Sequence, residues 1–158
     1  MPEKKKRNVT GFVVPVGEGA TGKTSLAHVL NNIADDQFNY ENIIKNITKT
    51  KNLEFEFVPC LLDHYPKTNY QVMIQILVPP GQKNSKGKKN SRSYEDIIDI
   101  YRFHIKRVDV VLLTYKVINS DTFNQLEFWI KKILELSNKT TQYILLGTYL
   151  DQKKKHRG

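Results

Sequence analysis

Residues 17–24 read Gly17-Glu18-Gly19-Ala20-Thr21-Gly22-Lys23-Thr24, which matches the spacing G-x-x-x-x-G-K-[ST]. Glycines at these positions let the backbone turn successive N–H groups inward, toward phosphate oxygens. A helix that starts near Lys23 adds the positive end of its dipole. Lys23 is a compact cation that reaches the terminal phosphates, and the Thr24 hydroxyl can ligate Mg²⁺. Gly19 stands where any side chain would crowd the terminal phosphate, and Ser25 continues the set. The flanks fit a strand–loop–helix context. Val9 to Val16 is an apolar, β-branched run, read as a buried strand with Pro15 at its end. Leu26, Val29, Leu30 and Ile33 recur at i, i+3, i+4 and i+7, the stripe of an amphipathic helix.

The alternation continues outward. Leu53 to Leu62 and Tyr70 to Val78 read as two strands, and the short segment His64-Tyr65-Pro66-Lys67-Thr68-Asn69 suits an antiparallel hairpin. Phe55 and Phe57 alternate with Glu54 and Glu56, so the first of the pair reads as a half-exposed edge. Residues 35–52 and 79–92 are long polar loops. Tyr94 to Lys106 is a helix by periodicity, Val108 to Val117 an apolar strand, and Gln142 to Thr148 the last strand. Ser120 or Asp121 is expected to cap a third helix with the stripe Phe123, Leu126, Ile130, Ile133 and Leu134, and Trp129 beside it. Strands alternating with helices predict an α/β fold: a mostly parallel sheet, one antiparallel edge strand, and helices on both faces. Ligands bind outside the carboxyl ends of such strands, which puts the loops after residues 16, 78, 117 and 148 on one rim.

Composition narrows the classes. The 158 residues suit one domain, 39% of them are apolar, and Gly and Pro number only 8 and 6. Collagen-like, mucin-like and wholly disordered chains are excluded on that ground. The longest apolar run falls short of the roughly 20 residues a bilayer-spanning helix needs. The single cysteine, Cys60, makes no internal disulfide, which points to a reducing, cytoplasmic setting. Its relation to His28, His64, His104 and His156 has no metal-ligand spacing. Net charge is +9, and the cations cluster at Lys4–Arg7, at Lys83–Arg92 and at Lys153–Arg157. Such runs are solvated or attract an anionic surface such as a membrane. They lack interleaved aromatics, so nucleic acid is not the expected partner.

Gly17-Glu-Gly-Ala-Thr-Gly-Lys-Thr-Ser-Leu26, Val108 to Trp129 and Tyr143-Ile-Leu-Leu-Gly-Thr-Tyr-Leu-Asp151 together resemble the Ras-like small GTPase superfamily, in the family's order. The resemblance covers about residues 8–151. It implies a P-loop G domain that binds GTP and GDP with Mg²⁺, hydrolyses GTP slowly, and acts as a switch. It also implies that Gly17 to Ser25 hold the phosphates. Where the family has Asp-x-x-Gly-Gln, this chain has Val78-Pro79-Pro80-Gly81-Gln82. Val78 replaces the acid that holds Mg²⁺ through water, while Gly81 would sense the terminal phosphate and Gln82 would orient the attacking water. This Pro-Gly-Gln is similar to that of bacterial Mgl-type polarity GTPases. Catalytic roles thus fall to Lys23 and Gln82.

Where the family reads Asn-Lys-x-Asp, this chain reads Thr148-Tyr149-Leu150-Asp151. Asp151 would accept two hydrogen bonds from guanine, and Thr148 and Tyr149 would flank the base. Thr50, or Thr48, would close over Mg²⁺ from the first long loop. The family's last strand and closing helix have no counterpart after Asp151. The expected organisation is a basic tail at 1–7, the G domain at 8–151 and a basic tail at 152–158. Effectors, GTPase-activating and exchange proteins would engage loops 35–52 and 79–92, and the basic tails would favour an anionic membrane surface. The alternative that the departures motivate is a guanine-nucleotide-binding interaction module that does not hydrolyse.

Overall fold

The computed structural model describes residues 7–32, 54–60, 70–79 and 102–155. Five strands, β1 (Arg7–Val16), β2 (Glu54–Cys60), β3 (Tyr70–Val78), β4 (Val110–Lys116) and β5 (Gln142–Thr148), form one sheet in the order β2-β3-β1-β4-β5. β1 pairs in parallel with β3 and β4, and β4 with β5. β2 runs antiparallel to β3 at the edge, from Glu54 opposite Val78 to Cys60 opposite Val72. The expected hairpin, parallel centre and edge strand are all present. Pro15 lies one residue inside the end of β1, past the last register pair with β3 at Val13–Ile76, where β1 is paired with β4. Its missing N–H therefore interrupts no β3 ladder.

Side-chain alternation divides the sheet into two faces. Ile74, Ile76 and Val78 of β3 and Val13 of β1 pack with Ala27 and Leu30 of α1 (Lys23–Asn32). The opposite face carries Val14, Val16, Leu77, Val111 and Leu113, covered by Ile105, Val108, Leu126, Trp129 and Ile133. Helices on both faces of a mostly parallel sheet are the doubly covered architecture, with α1 over β3 and β1 on one face.

The segment after β4 departs from expectation in two ways. The cap is Asn119, whose Oδ1 accepts from the Asp121 N–H at 3.0 Å, not Ser120 or Asp121. Asn119 is extended while the next residues are already helical, so it alone can turn its side chain back onto the first turn. The helix is also two pieces, α2 (Ser120–Asn124) and α3 (Leu126–Leu134), joined at Gln125. Thr122, Leu126, Trp129 and Ile133 are buried in one helical line, whereas Phe123 and Leu134 are 49% and 55% exposed. Trp129, placed beside the stripe by sequence periodicity, is fully buried at its centre. Residues 102–105 are helical, within the span expected for the second helix; Tyr94 to Tyr101 lie outside the described residues. Leu150–Lys155 forms a last short helix, α4.

Candidate functional site

The phosphate loop leaves β1 at Val16 and enters α1 at Lys23, so the motif is held between a buried strand and a helix N-terminus. Two glycines are needed for distinct reasons. Gly17 has φ +147° and lies against β4, where a Cβ would run into the Thr114 carbonyl and hydroxyl. Gly22 has φ +88°, in the left-handed region that side chains disfavour. Ala20 also adopts positive φ, at 58°.

Beneath the loop lies a small buried hydroxyl network. The Thr21 hydroxyl donates to the Glu18 carbonyl at 2.9 Å, the Thr114 hydroxyl donates to the Val16 carbonyl at 2.9 Å, and the two oxygens are 3.0 Å apart. Two protons serve three contacts, so the pair is shared rather than additive. Thr21 and Thr114 are both fully buried, and the network fastens the loop to the centre of the sheet. Thr114 was not singled out from the sequence. The available signal was a lone hydroxyl in the apolar run Val-Val-Leu-Leu-Thr-Tyr of residues 110–115.

Lys23 is 5% exposed and folds back over the loop, donating to the carbonyls of Gly17 at 2.9 Å and Glu18 at 2.8 Å. Burial lowers its pKa from 10.5 to about 8, while the Glu18 carboxylate pulls it upward. The protein thus holds a desolvated cation over the loop, where an incoming phosphate would add opposite charge to that of Glu18. Thr24 and Ser25 occupy the first turn of α1 and are half-buried.

The opposite wall comes from the end of β5. The Thr148 hydroxyl lies 2.9 Å from both the Thr21 and the Tyr115 carbonyl and shares its one proton between them. The next residue, Tyr149, donates its hydroxyl to the Ala20 carbonyl at 3.0 Å. Two consecutive side chains therefore clip two consecutive carbonyls of the phosphate loop. Tyr149 does so from a left-handed backbone, φ 61°, a conformation that costs a non-glycine residue on the order of 1 kcal/mol. The Lys116 ammonium stands 5.0 Å from the centre of its ring. Lys116 was another residue that sequence spacing did not mark, because only the fold brings the end of β4 beside residue 149.

A pocket of about 480 Å³ opens between these walls, with Gly22, Ser25, Thr148, Tyr149 and Asp151 among its lining. That size is in the range of small-ligand sites. Asp151 sits in the first turn of α4 and is exposed. Leu26 and Val29, expected to face the core, instead stand half-buried on the pocket's apolar side with Leu146. The structure thus brings Gly17 to Ser25 together with Thr148, Tyr149 and Asp151. Thr48, Thr50, Gly81 and Gln82 lie outside the described residues.

For Mg²⁺, the described residues offer the Thr24 hydroxyl. Val78, where the family pattern has an acid, is fully buried beside Ala27 and Ile76 and contributes no oxygen. Among the described residues no group of three or more His, Cys, Asp or Glu could hold a metal. A site with one protein hydroxyl suits Mg²⁺, which keeps several waters and takes phosphate oxygens beside few protein ligands. The family model for the Ras family matches residues 12–157. No curated protein matches the chain.

Proposed function

The chain belongs to the Ras family of small GTPase-type, GTP-binding proteins, and from that premise we propose that it is a slow GTP-hydrolysing molecular switch that works with Mg²⁺. The observation that carries this reading is the junction of the phosphate loop with the pocket: Thr148 and Tyr149 tie the loop's carbonyls to the end of β5, and Asp151 lies on the same pocket wall. A nucleotide whose phosphates lie on the loop would carry its base toward Asp151. The carboxylate accepts from N–H donors, and guanine presents two on that edge where adenine presents none.

In this reading catalysis is positioning and electrostatics. Lys23 and the loop N–H groups bind the β- and γ-phosphates, and Lys23 arrives already desolvated. Thr24, with phosphate oxygens and water, would hold Mg²⁺, which neutralises phosphate charge when bound. Gly81 senses the γ-phosphate and Gln82 orients the attacking water. Thr50, or Thr48, closes the first long loop. Loss of the γ-phosphate releases loops 35–52 and 79–92, the surfaces that effectors and regulators would read. The working place is the cytoplasm, with peripheral attachment to anionic membrane.

The second reading, a guanine-nucleotide-binding module without hydrolysis, is favoured by the buried, apolar Val78. Single-turnover hydrolysis of loaded GTP separates the two. The switch predicts a slow measurable rate that falls by about one to two orders of magnitude in Gln82→Leu, or 1.4–2.8 kcal/mol, with GTP affinity unchanged. No rate in either protein at saturating Mg²⁺ supports the binding module, and an equal rate in both removes Gln82 from the mechanism.

A further inference from the structure

The parallel strands β1, β4 and β5 all begin on the rim opposite the phosphate loop, and that rim is built differently from the rest of the surface. Arg7 begins β1, residues 102–109 lead into β4, and residues 135–141 lead into β5. Backbone bonds lock these pieces together. The Phe12 N–H donates to the Asp109 carboxylate at 2.8 Å, and the Asp109 N–H donates to the Phe12 carbonyl at 2.9 Å. The Gln142 N–H donates to the Asp109 carbonyl at 2.8 Å, and the Thr141 hydroxyl to the Val108 carbonyl at 2.8 Å.

On this frame Lys106, Arg107 and Lys139 are all exposed, and Arg7, also exposed, lies five residues farther back along β1 from Phe12. The Arg107 guanidinium lies over two aromatic rings, 5.6 Å from the centre of Phe12 and 5.9 Å from that of Phe103. Phe103 itself is 68% exposed, the most exposed large apolar side chain described. The described acids on this rim are Asp109, whose carboxylate is engaged by the Phe12 N–H, and Glu135 at the end of α3. The sequence leading into Arg7 is Lys4-Lys5-Lys6.

We propose that this rim docks the protein on an anionic lipid bilayer, with Lys106, Arg107 and Lys139 at the headgroups and Phe103 as the interfacial anchor. Each cation near such a surface strengthens binding about fivefold, and an aromatic ring beside them settles at the headgroup level. One exposed ring amid cations fits a lipid interface better than single-stranded nucleic acid, which stacks successive bases on several rings. No helix among the described residues is long and apolar enough to cross a membrane, so attachment at this rim is peripheral. Phe12, which stands level with Asp109 and under Arg107, precedes the phosphate loop by five residues, so roughly 16 Å of β1 separate this rim from the loop. Docked this way, the nucleotide site points away from the lipid and stays open to solution. The proposal does not depend on which nucleotide that site holds.

The test is co-sedimentation of the full chain with phosphatidylcholine vesicles, with and without phosphatidylserine. The wild type is expected to bind only the anionic vesicles, and less as salt is raised. Combined Lys106→Glu, Arg107→Glu and Lys139→Glu should lower the partition coefficient by more than about a hundredfold. Should that variant fail to fold, Lys106→Gln with Lys139→Gln leaves Arg107 on its rings and should lower it about 25-fold. Phe103→Ser should weaken binding several-fold, and that loss should persist at high salt. Unchanged nucleotide binding and circular dichroism identify a folded variant. Three results overturn the proposal: vesicle binding untouched by the rim substitutions, complete loss from reversing Lys4, Lys5 and Lys6 alone, or tighter binding to single-stranded RNA than to anionic vesicles at equal ionic strength.

Discussion

If Lys23 faces the nucleotide's phosphates as proposed, nucleotide binding should depend on pH in a calculable way. Burial holds its pKa at about 8, against 10.5 for an ordinary lysine. The gap of 2.5 units means that keeping the ammonium charged in the loop costs the fold about 3 kcal/mol when no phosphate faces it. Bound phosphates supply opposite charge and restore the pKa to its ordinary value or above. Below pH 8 the free protein already carries the proton, so affinity is flat. Above pH 8 the free protein loses the proton and the complex keeps it, so binding must take one up and affinity falls as pH rises. At pH 9 about one free molecule in eleven is still protonated, which predicts a loss of about tenfold relative to pH 7, or 1.4 kcal/mol. Calorimetry of GTP binding at both pH values, in buffers of different ionisation enthalpy, reads the affinity and the proton uptake together. Lys23→Arg keeps its charge throughout, so any affinity it retains should be level over the same range. Equal wild-type affinity at pH 7 and 9, or an equal decline in the arginine variant, would refute the reasoning.

Other substitutions probe the remaining walls of the site. Asp151→Asn should weaken GTP by about 1.5–3 kcal/mol and leave ATP nearly unchanged in a competition titration, because a carboxylate accepting from guanine is lost. Tyr149→Phe keeps the ring beneath Lys116 and removes the hydrogen bond to the Ala20 carbonyl, so nucleotide dissociation should speed up by about two- to tenfold in a stopped-flow chase. Gly17→Ala places a methyl against the Thr114 carbonyl, and a drop of several degrees in melting temperature should accompany weaker nucleotide binding.

Much of the architecture was legible because it follows local rules. The run Val9–Val16, the motif at 17–24 and the stripe beginning at Leu26 place a strand, a phosphate loop and a helix in the order observed. The alternation Glu54-Phe55-Glu56-Phe57 correctly marks an edge strand, and β5 spans the residues expected of it. The stripe read after β4 passes through Phe123 and Leu134, whereas the buried line runs Thr122, Leu126, Trp129 and Ile133 and begins with a polar residue that an apolar pattern passes over. Trp129 is therefore buried, and Phe123 turns outward to pack edge-on against Tyr115 at 5.1 Å. At the site, residue types point to phosphate chemistry, but not to the ties that hold the loop. Thr114 and Lys116 act through contacts more than 30 residues away in sequence, with Thr21 and Tyr149 respectively. No spacing rule reaches that far. The expectation that Tyr149 flanks the base did not anticipate that its hydroxyl clips the phosphate loop.

The central claim, that the phosphate loop and the Asp151 wall together bind a guanine nucleotide, is tested most directly by titrating the nucleotide-stripped protein with GTP and ATP in Mg²⁺. The account predicts one GTP per chain, bound at least about tenfold more tightly than ATP, with that preference lost in Asp151→Asn. Equal affinity for the two nucleotides, or no binding of either by a folded protein, would contradict it.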